Sequence, residues 1–440
     1  MEQNTILNIQ PERIIGLDGH PDSFTAALVQ GRNPAEALTQ QVFNKVPLGR
    51  LIPWAQKYTA SQDLIVLEAS GNSFEIVRRL QSIQRKALVL ESSHLGKLKE
   101  AHANNDKISA VRIAKAFLAG TAKIVWVPDP KTQQRRDTFH MHRKTVKRST
   151  QTINRLNSYL SDHGVRLDRS LTELTETDAM TKIGQARSWE AGEIRLIKGL
   201  MLEVQAASQQ RRHWEQSIAS EVLTDPMLLS LTRLCGVRDI VAFAIGAIVG
   251  DINRFASPKS LVKFFGLHPA FDQSGQNNWS GGVGLHGRQD VRSLLIESAQ
   301  AILRANNPLS QWGRKLLARK SSYNLAVAAV ARKLVVAIWY LMKGKWQRVL
   351  NLDRALTIKI GKIISKLGKE GLEQMGKDRK TLRKEVQQLL KTGRTDYREP
   401  RKQSKPSQPP PEPDPLPKGL NELFEKLRRS NGLADEYGLK

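Results

Sequence analysis

The chain is nearly devoid of cysteine, and this shortage excludes several classes of protein. Cys235 is the only cysteine among 440 residues, so no internal disulfide can form and no Cys–His spacing typical of a zinc site exists. The first 14 residues lack a basic region followed by an apolar run, so we expect no signal peptide there. A cytoplasmic protein is therefore predicted, because secreted domains of this kind are usually rich in disulfides.

Long uninterrupted hydrophobic runs are also missing. Residues 240–250 are apolar but too short to cross a bilayer. Residues 325–342 are long enough, but they carry Arg332 and Lys333 at their centre, where charge is costly in lipid. We therefore expect no membrane partner.

Acidic residues are scarce relative to basic ones. The chain has 69 Lys and Arg against 42 Asp and Glu, a formal net charge of +27. Residues 314–402 alone hold 24 basic and 7 acidic residues, a net charge of +17. Such self-repulsion is relieved by a polyanion, so nucleic acid is the first partner to consider, with an anionic membrane surface as the alternative. A second basic stretch, residues 131–155, is either a solvated helix face or a face that follows phosphates.

Apolar, β-rich runs alternate with helix-length stretches in the first 130 residues. The first two runs lie close enough in sequence to form a hairpin, and the later ones are separated by predicted helices at 74–83 and 107–119. This order predicts a mixed sheet with helices on its faces. The five predicted strands lie at residues 13–17, 24–29, 64–67, 87–90 and 124–127.

The remainder of the chain is predicted to be mostly helical, so the fold class is α/β followed by all-α. Apolar residues at helical spacing on both sides of Gly164 predict two long helices packed as an antiparallel arm, a coiled coil in one interpretation. Residues 234–237 are similar to a helix-hairpin-helix turn that presents backbone N–H groups to phosphate. The predicted domains are 1–130 (α/β), 131–222 (helical arm), 223–345 (second globular domain), 346–404 (basic helical extension) and 405–440 (Pro-rich linker and tail).

Three acidic residues stand where a nucleic-acid enzyme needs them. Asp18 and Glu68 end predicted strands, and Asp106 opens a predicted helix. Carboxylates at adjacent strand ends can converge, and a divalent cation such as Mg²⁺ relieves their repulsion. Each acid alone also has a structural explanation as a turn cap, a solvated strand end or a helix N-cap.

Several segments resemble the IS110 family of insertion-sequence transposases. In the N-terminal part they are GLD (16–18), LEASG (67–71) and DKISA (106–110). In the C-terminal part they are DINRF (251–255), LVKFFGLHP (261–269), QSG (273–275), GRQDVR (287–292) and AVAAVARKL (326–334). The resemblance covers residues 12–345 and implies an RNase H/RuvC-like N-terminal domain followed by a serine transposase domain.

The resemblance also implies particular site residues. Four acids form the family's metal site, and Asp18, Glu68 and Asp106 match the first three. Ser109 stands at the position of the fourth acid, so the second metal ion would bind loosely or the protein would be inactive. The sequence offers two acids as possible substitutes, Asp22 and Glu91.

Ser274 matches the serine of the family, which attacks DNA and forms a phosphoserine link. A serine must be deprotonated or metal-activated to act in this way, and the family brings it next to the acidic site, often across subunits. From chemistry alone Ser274 is a turn serine in a Gly- and Asn-rich loop. The resemblance further implies a structured guide RNA and a homo-oligomer, a dimer or tetramer, as partners of a nucleoid-associated protein.

Two alternatives stay open at the sequence level. A site-specific invertase or a RuvC-like nuclease is the nearest, and the nuclease would have no need of Ser274 because it uses water as nucleophile. A binding protein that has kept its affinity and lost its chemistry is the other, and Ser109 supports it.

Overall fold

A computed structural model of the chain describes residues 13–92, 105–167, 176–274, 277–283, 286–345, 353 and 355–396. The chain divides into two compact units, Met1–Pro130 and Lys131–Lys440. The first is a mixed α/β unit and the second is mostly helical, which confirms the coarse fold class predicted from sequence.

The first unit is built on one six-stranded sheet. Its strands are β1 (Arg13–Gly19), β2 (Ser23–Gln30), β3 (Leu38–Pro47), β4 (Leu64–Glu68), β5 (Lys86–Leu90) and β6 (Ile124–Val125). The spatial order is β3-β2-β1-β4-β5-β6. Strands β1, β4 and β5 are parallel to one another, and β2, β3 and β6 pair antiparallel to their neighbours. This topology is compatible with the RNase H-like fold that the resemblance implies.

Helices cover both faces of this sheet because its strands are apolar on both sides. Helices α1 (Leu51–Tyr58) and α2 (Ser73–Ser82) pack on one face, and α3 (Asp106–Leu118) packs on the other. A single turn of 3₁₀ helix, Leu48–Arg50, leads into α1. The result is a three-layer unit with α3 alone on its side among the described residues.

The sequence predicted five of these strands and both longer helices, but it missed β3. Strand β3 is a ten-residue edge strand whose side chains are mostly exposed. It contains Gln40, Gln41, Asn44 and Lys45 and buries no side chain fully, so it carries little of the apolar alternation from which strands are recognised. Its pairing with β2 is what defines it.

The second unit contains twelve helices among its described residues and one β-hairpin. The hairpin is formed by β7 (Pro269–Ser274) and β8 (Asn277–Val283), and one turn of 3₁₀ helix spans Ile252–Arg254. The helices are α4 (Pro130–Asp162), α5 (Glu176–Ala186), α6 (Ala191–Thr224), α7 (Pro226–Leu231), α8 (Asp239–Val249), α9 (Pro258–Phe264), α10 (Gln289–Arg304), α11 (Pro308–Lys320), α12 (Tyr323–Met342), α13 (Leu356–Lys366), α14 (Gly368–Gln374) and α15 (Arg379–Asp396).

Helices α4 and α6 are the two long helices predicted from sequence, and they run antiparallel. Side-chain contacts connect successive positions of α4, and His163 just after it, to positions of α6 that follow in the opposite order. The pairs are Arg135 with Glu221 at 2.5 Å, His142 with Glu215 at 3.8 Å, Arg155 with Glu203 at 2.8 Å and His163 with Glu193 at 3.3 Å.

The middle of α4 packs against its neighbours through polar residues. The apolar periodicity of the sequence therefore did not reveal this part of the arm. Its buried positions recur every three or four residues as His142, Thr145, Ser149 and Thr152. Contact with His142, with further help from Arg211, holds the pKa of the Glu215 carboxyl at about 2, although burial opposes the shift.

The far end of the arm is a three-helix packing and not a simple two-helix coiled coil. Leu156 and Leu160 of α4 pack against residues of α5 and α6. The chain leaves α4 at Gly164, whose φ of +73° is a left-handed conformation that glycine adopts without strain. Gly164 therefore ends the helix, as the sequence indicated.

The main core of the second unit lies around α8, α10 and α12. Phe139 of α4 is fully buried in this core, so the beginning of α4 belongs to the globular part and not to a separate arm. Helix α12 is, among the described residues, the one helix long and apolar enough to cross a membrane. Most of it is buried within the unit, as expected of a core helix.

The basic extension packs on the same unit through α13 and α15. Lys359 of α13 donates to the carbonyl oxygens of Thr232, Leu234 and Val237 at 2.7–3.1 Å and forms an ion pair with Asp353 at 2.6 Å. Burial lowers the pKa of Lys359, although Asp353 raises it.

Lys359 thus donates hydrogen bonds to the carbonyl oxygens at both ends of the turn at residues 234–237. Helix α8 begins after this turn with Asp239, which is 1 % exposed and pairs with Lys366 at 2.6 Å. A buried carboxylate in the first turn of a helix disfavours a phosphate there. The interpretation of this turn as a phosphate-binding element is therefore not supported.

Candidate metal centre and serine hairpin

Asp18 and Glu68 lie at the same edge of the first unit's sheet. Strands β1 and β4 are parallel neighbours with Leu17 in register with Leu67, so Asp18 and Glu68 follow at equivalent positions. Because side chains alternate along a strand, both carboxylates belong to the face that α3 covers. This is the carboxyl end of parallel strands, where α/β proteins commonly bind ligands.

Helix α3 brings Asp106 to that edge because it packs unusually close to β1. A Cβ atom at Gly16 would overlap the carbonyl oxygen of Ala110, and it would lie 3.0 Å from the Ala114 nitrogen. Only glycine permits this approach of helix to strand. The side chain of Asn105 caps the helix by accepting from the Ile108 N–H at 2.9 Å, which fixes Asp106 as its first residue.

These elements assemble a small group of metal-binding side chains. One ligand atom each from Asp18, His20 and Asp106 lies within 4.8 Å of the other two. The Nε2 atom of His20 is 3.6 Å from Oδ2 of Asp106. That nitrogen is buried and has no hydrogen-bond partner among the described atoms. Two carboxylates and an unsatisfied imidazole nitrogen are a donor set that fits a divalent cation.

The turn that carries His20 is held in place through its backbone. The Nδ2 group of Asn72 donates to the His20 carbonyl oxygen at 2.6 Å, and the His20 N–H donates to the Ser23 carbonyl at 2.8 Å. Sequence reasoning missed His20 because the resemblance carries over acids only. Its position two residues after Asp18, just beyond the strand end, was the available signal.

The other predicted metal-site residues lie outside this group. Glu68 occupies the neighbouring strand end, and Ser109 is half-buried in the first turn of α3. Asp22 is exposed and accepts from the Ser23 hydroxyl at 3.2 Å. The backbone N–H of Glu91 donates to the Lys123 carbonyl at 2.9 Å. Neither of the two possible substitute acids joins Asp18 and Asp106 in the described group of three.

Ser274 is the last residue of strand β7 in the second unit. Its backbone pairs with Asn277 of β8, so only two residues separate the paired positions. The loop that the sequence predicted at residues 274–284 is therefore wrong for residues 277–283, which form strand β8, and Ser274 lies at a strand end.

The base of the serine hairpin is tied to the helical core. Gly266 and Gly287 have positive φ angles of 66° and 99°, and a Cβ atom at Gly287 would lie 2.6 Å from the Gly266 nitrogen. The guanidinium of Arg292 donates to the carbonyl oxygens of Gly266 at 3.3 Å and His286 at 3.2 Å. The segment before β7 and the segment after β8 are thus held together at the core.

Three arginines gather beside this hairpin base, and we call Arg136, Arg254 and Arg288 the arginine cluster. Arg136 and Arg254 both donate to the carbonyl oxygen of Ile248, at 3.2 and 3.0 Å. Arg288 follows Gly287 directly, and its backbone N–H donates to the Phe264 carbonyl at 3.2 Å. The cluster therefore connects the end of α8 to the segment that leaves β8.

The arginines of this cluster repel one another. Burial, with repulsion from Arg136 and Arg288, lowers the pKa of the Arg254 guanidinium to about 10 although Asp251 opposes the shift. Asp290 pairs with Arg288 at 2.6 Å. A phosphate group near the cluster would relieve the repulsion among these cations.

Comparison with known proteins identifies the class. Residues 229–312 match the family model described as Transposase IS116/IS110/IS902 family. The chain is 23% identical over 282 residues to the transposase for insertion sequence element IS1111A of Coxiella burnetii, covering 63% of this chain and 77% of the relative. It is 19% identical over 331 residues to the transposase for insertion sequence element IS1328 of Yersinia enterocolitica, covering 74% and 95%.

A third relative agrees with these two. The probable family 20 transposase of Pseudomonas aeruginosa is 24% identical over 287 residues, which cover 63% of this chain and 83% of the relative. The class of protein is therefore a transposase of an insertion sequence. The family model and these relatives support an IS110-family transposase, which bears out the resemblance recognised in the sequence.

Proposed function

We propose that this transposase cuts and rejoins DNA through Ser274, with the help of a divalent ion held by Asp18 and Asp106 and flanked by Glu68. The observation that carries the proposal is the group of ligand atoms within 4.8 Å of one another at the sheet edge. The sequence predicts Mg²⁺ as the ion. Two carboxylates at such a short distance repel each other unless a cation lies between them.

The proposed chemistry is a transesterification. The Ser274 oxygen forms a bond to a backbone phosphorus, one phosphorus–oxygen bond to deoxyribose breaks, and the hydroxyl proton passes to a base while the leaving oxygen gains a proton. The new phosphoester retains the energy of the broken bond, so the reverse attack by a DNA hydroxyl rejoins the strand. When bound, the ion would supply charge that stabilises the phosphate oxygens during this exchange.

DNA is the proposed substrate, and two basic surfaces support it. The arginine cluster lies beside the base of the serine hairpin, where it could hold the phosphate next to the reacting one. The basic residues of 314–402, many of them on α13 and α15, could follow the backbone without reading its sequence.

We further propose the partners that the family implies, a structured guide RNA and other copies of the chain. Exposed apolar residues on α6 support self-association, since Leu196 and Leu202 are 49% and 61% exposed. The protein would then work in the bacterial cytoplasm on the nucleoid.

The direct test is to trap the covalent intermediate. The full chain is incubated with Mg²⁺ and a labelled duplex that contains the DNA flanking its reading frame, and the adduct is mapped by mass spectrometry. We expect the adduct on Ser274 and its loss in the Ser274→Ala variant. Ser280→Ala, which changes a serine of β8 in the same hairpin, is the matched control and should keep the adduct. Cleavage that persists in Ser274→Ala without an adduct would instead indicate a nuclease that uses water.

A second candidate function is a DNA- or RNA-binding protein that has lost its chemistry. Ser109 favours it, because a hydroxyl stands where the family has its fourth acid. Metal-dependent activity that appears in Ser109→Asp and is absent from the unmodified chain would support this function. Activity in the unmodified chain would exclude it.

A further inference from the structure

We propose that His20 is a direct ligand of the divalent ion and that its imidazole makes the centre favour Mn²⁺ over Mg²⁺. The proposal rests on the proposed function in one respect, namely that the acidic edge of the first unit binds a metal ion. It adds a ligand that the family resemblance does not supply and a choice of ion that follows from that ligand.

The spacing of the ligand atoms fits a shared ion. In an octahedral shell with metal–ligand distances of about 2.0–2.2 Å, two ligands of the same ion are roughly 3 Å apart when adjacent and roughly 4 Å apart when opposite. His20 Nε2 and Asp106 Oδ2 are 3.6 Å apart, too far for a hydrogen bond and within the range for two ligands. Asp18 completes the set within 4.8 Å, so a small inward movement of one carboxylate closes the shell.

The state of the His20 ring supports the same conclusion. Although the His20 side chain as a whole is 38% exposed, its Nε2 atom is buried without a hydrogen-bond partner among the described atoms, and a buried polar atom without a partner is unfavourable. The backbone on both sides of the ring is fixed by Asn72 and Ser23, so the turn presents the nitrogen to the acids. A metal ion bound beside the two carboxylates would satisfy this atom.

Chemistry then selects the ion. Mg²⁺ prefers a shell of oxygen ligands, whereas imidazole nitrogen is a good ligand for transition metals, and Mn²⁺ accepts carboxylates and water as well. At the position of the fourth acid, Ser109 offers only a neutral oxygen. His20 therefore provides the ligand that Ser109 does not, and it shifts the preference of the centre toward Mn²⁺.

The experiment measures metal binding to the full chain in the absence of DNA. Calorimetry gives the Mn²⁺ and Mg²⁺ affinities, and pulsed electron paramagnetic resonance detects magnetic coupling of bound Mn²⁺ to a ligand nitrogen. We expect the unmodified chain to bind Mn²⁺ with nitrogen coupling. His20→Gln should lose that coupling and weaken Mn²⁺ binding by at least about 10-fold, with a smaller effect on Mg²⁺. His213→Gln, which changes an exposed histidine of α6, should behave like the unmodified chain.

The outcomes separate this proposal from the broader one. One outcome is that the unmodified chain binds Mn²⁺ without nitrogen coupling and that Asp18→Asn abolishes this binding. In that case His20 is not a ligand, but the carboxylate centre stands. If nitrogen coupling persists in His20→Gln, another nitrogen is bound and this inference is wrong. If Asp18→Asn binds metal like the unmodified chain, both the inference and the proposed metal centre fail. The measurement on the unmodified chain needs no variant to fold.

Discussion

Replacing Gly16 by alanine tests whether the contact between helix and strand builds the metal centre. The added Cβ would overlap the Ala110 carbonyl oxygen and lie 3.0 Å from the Ala114 nitrogen and the Ala110 carbonyl carbon. Real Cβ atoms essentially never approach another heavy atom closer than 3.0 Å, so α3 must retreat by at least about 1 Å to relieve the overlap with the Ala110 oxygen. The atoms it meets are helix backbone, which cannot rotate away as the end of a side chain can.

The expected cost follows from that displacement. Overpacking of a tight core costs about 1–3 kcal/mol, and we expect Gly16→Ala to fall at the upper end, about 3 kcal/mol. Metal–ligand distances tolerate deviations of only about 0.2 Å. Because Asp106 is the first residue of α3, its carboxylate would move out of reach of an ion bound to Asp18.

Two assays on the full chain measure these effects. Denaturant unfolding followed by circular dichroism gives the stability, and calorimetric titration with Mn²⁺ gives the affinity. The matched control is Gly71→Ala in the same unit, because a Cβ atom there meets nothing within 4 Å, and it should change stability by less than about 0.5 kcal/mol. If Gly16→Ala is as stable as this control and binds Mn²⁺ equally well, the approach of α3 does not position Asp106.

Three further predictions concern the second unit. Glu215, with a folded pKa of about 2 against an ordinary value of 4.5, stabilises the fold above pH 4.5, and this contribution is lost as the pH falls toward 2. The Glu215→Gln variant should therefore lose on the order of 1 kcal/mol at neutral pH and show a weaker acid dependence in unfolding between those pH values; an identical acid profile would contradict the assignment. Lys359→Met should cost about 3–5 kcal/mol in denaturant unfolding, because it removes a buried cation from its ion pair, whereas the exposed Lys362→Met should be nearly neutral. Gly266→Ala forces a side chain onto a φ of +66° and against the His286 carbonyl, so it should lower the yield of the serine adduct, and an unchanged yield would show that the hairpin base is not rigid.

The sequence predicted the apolar strands and the long helices because their patterns follow from burial. Strands β1, β2, β4 and β5 appear as β-rich apolar runs, and α3 appears after them at the expected place. Strand β3 was missed because an exposed edge strand needs no apolar face. Its existence depends on backbone pairing with β2, which no local pattern of residues records.

The candidate site was partly predictable for a similar reason. Asp18 and Glu68 could be placed from strand order alone, because parallel neighbours end at the same edge. The position of His20 just after Asp18 made it a candidate, but its approach to Asp106 depends on the turn after β1, whose backbone is held by Asn72. The place of Asp106 likewise depends on the missing side chain of Gly16, whose effect becomes visible only when α3 is packed on the sheet.

The lone thiol gives this transposase a practical advantage for spectroscopy. Burial raises the pKa of Cys235, and the negative charge of Asp353 adds to the effect, so the group is a weak nucleophile at neutral pH. The natural chain should accordingly resist maleimide reagents. A pair of cysteines introduced on the surface, one in each unit, could then carry fluorescent dyes or spin labels without a competing reaction, and the separation between the metal centre and the serine hairpin could be followed in solution as DNA is added.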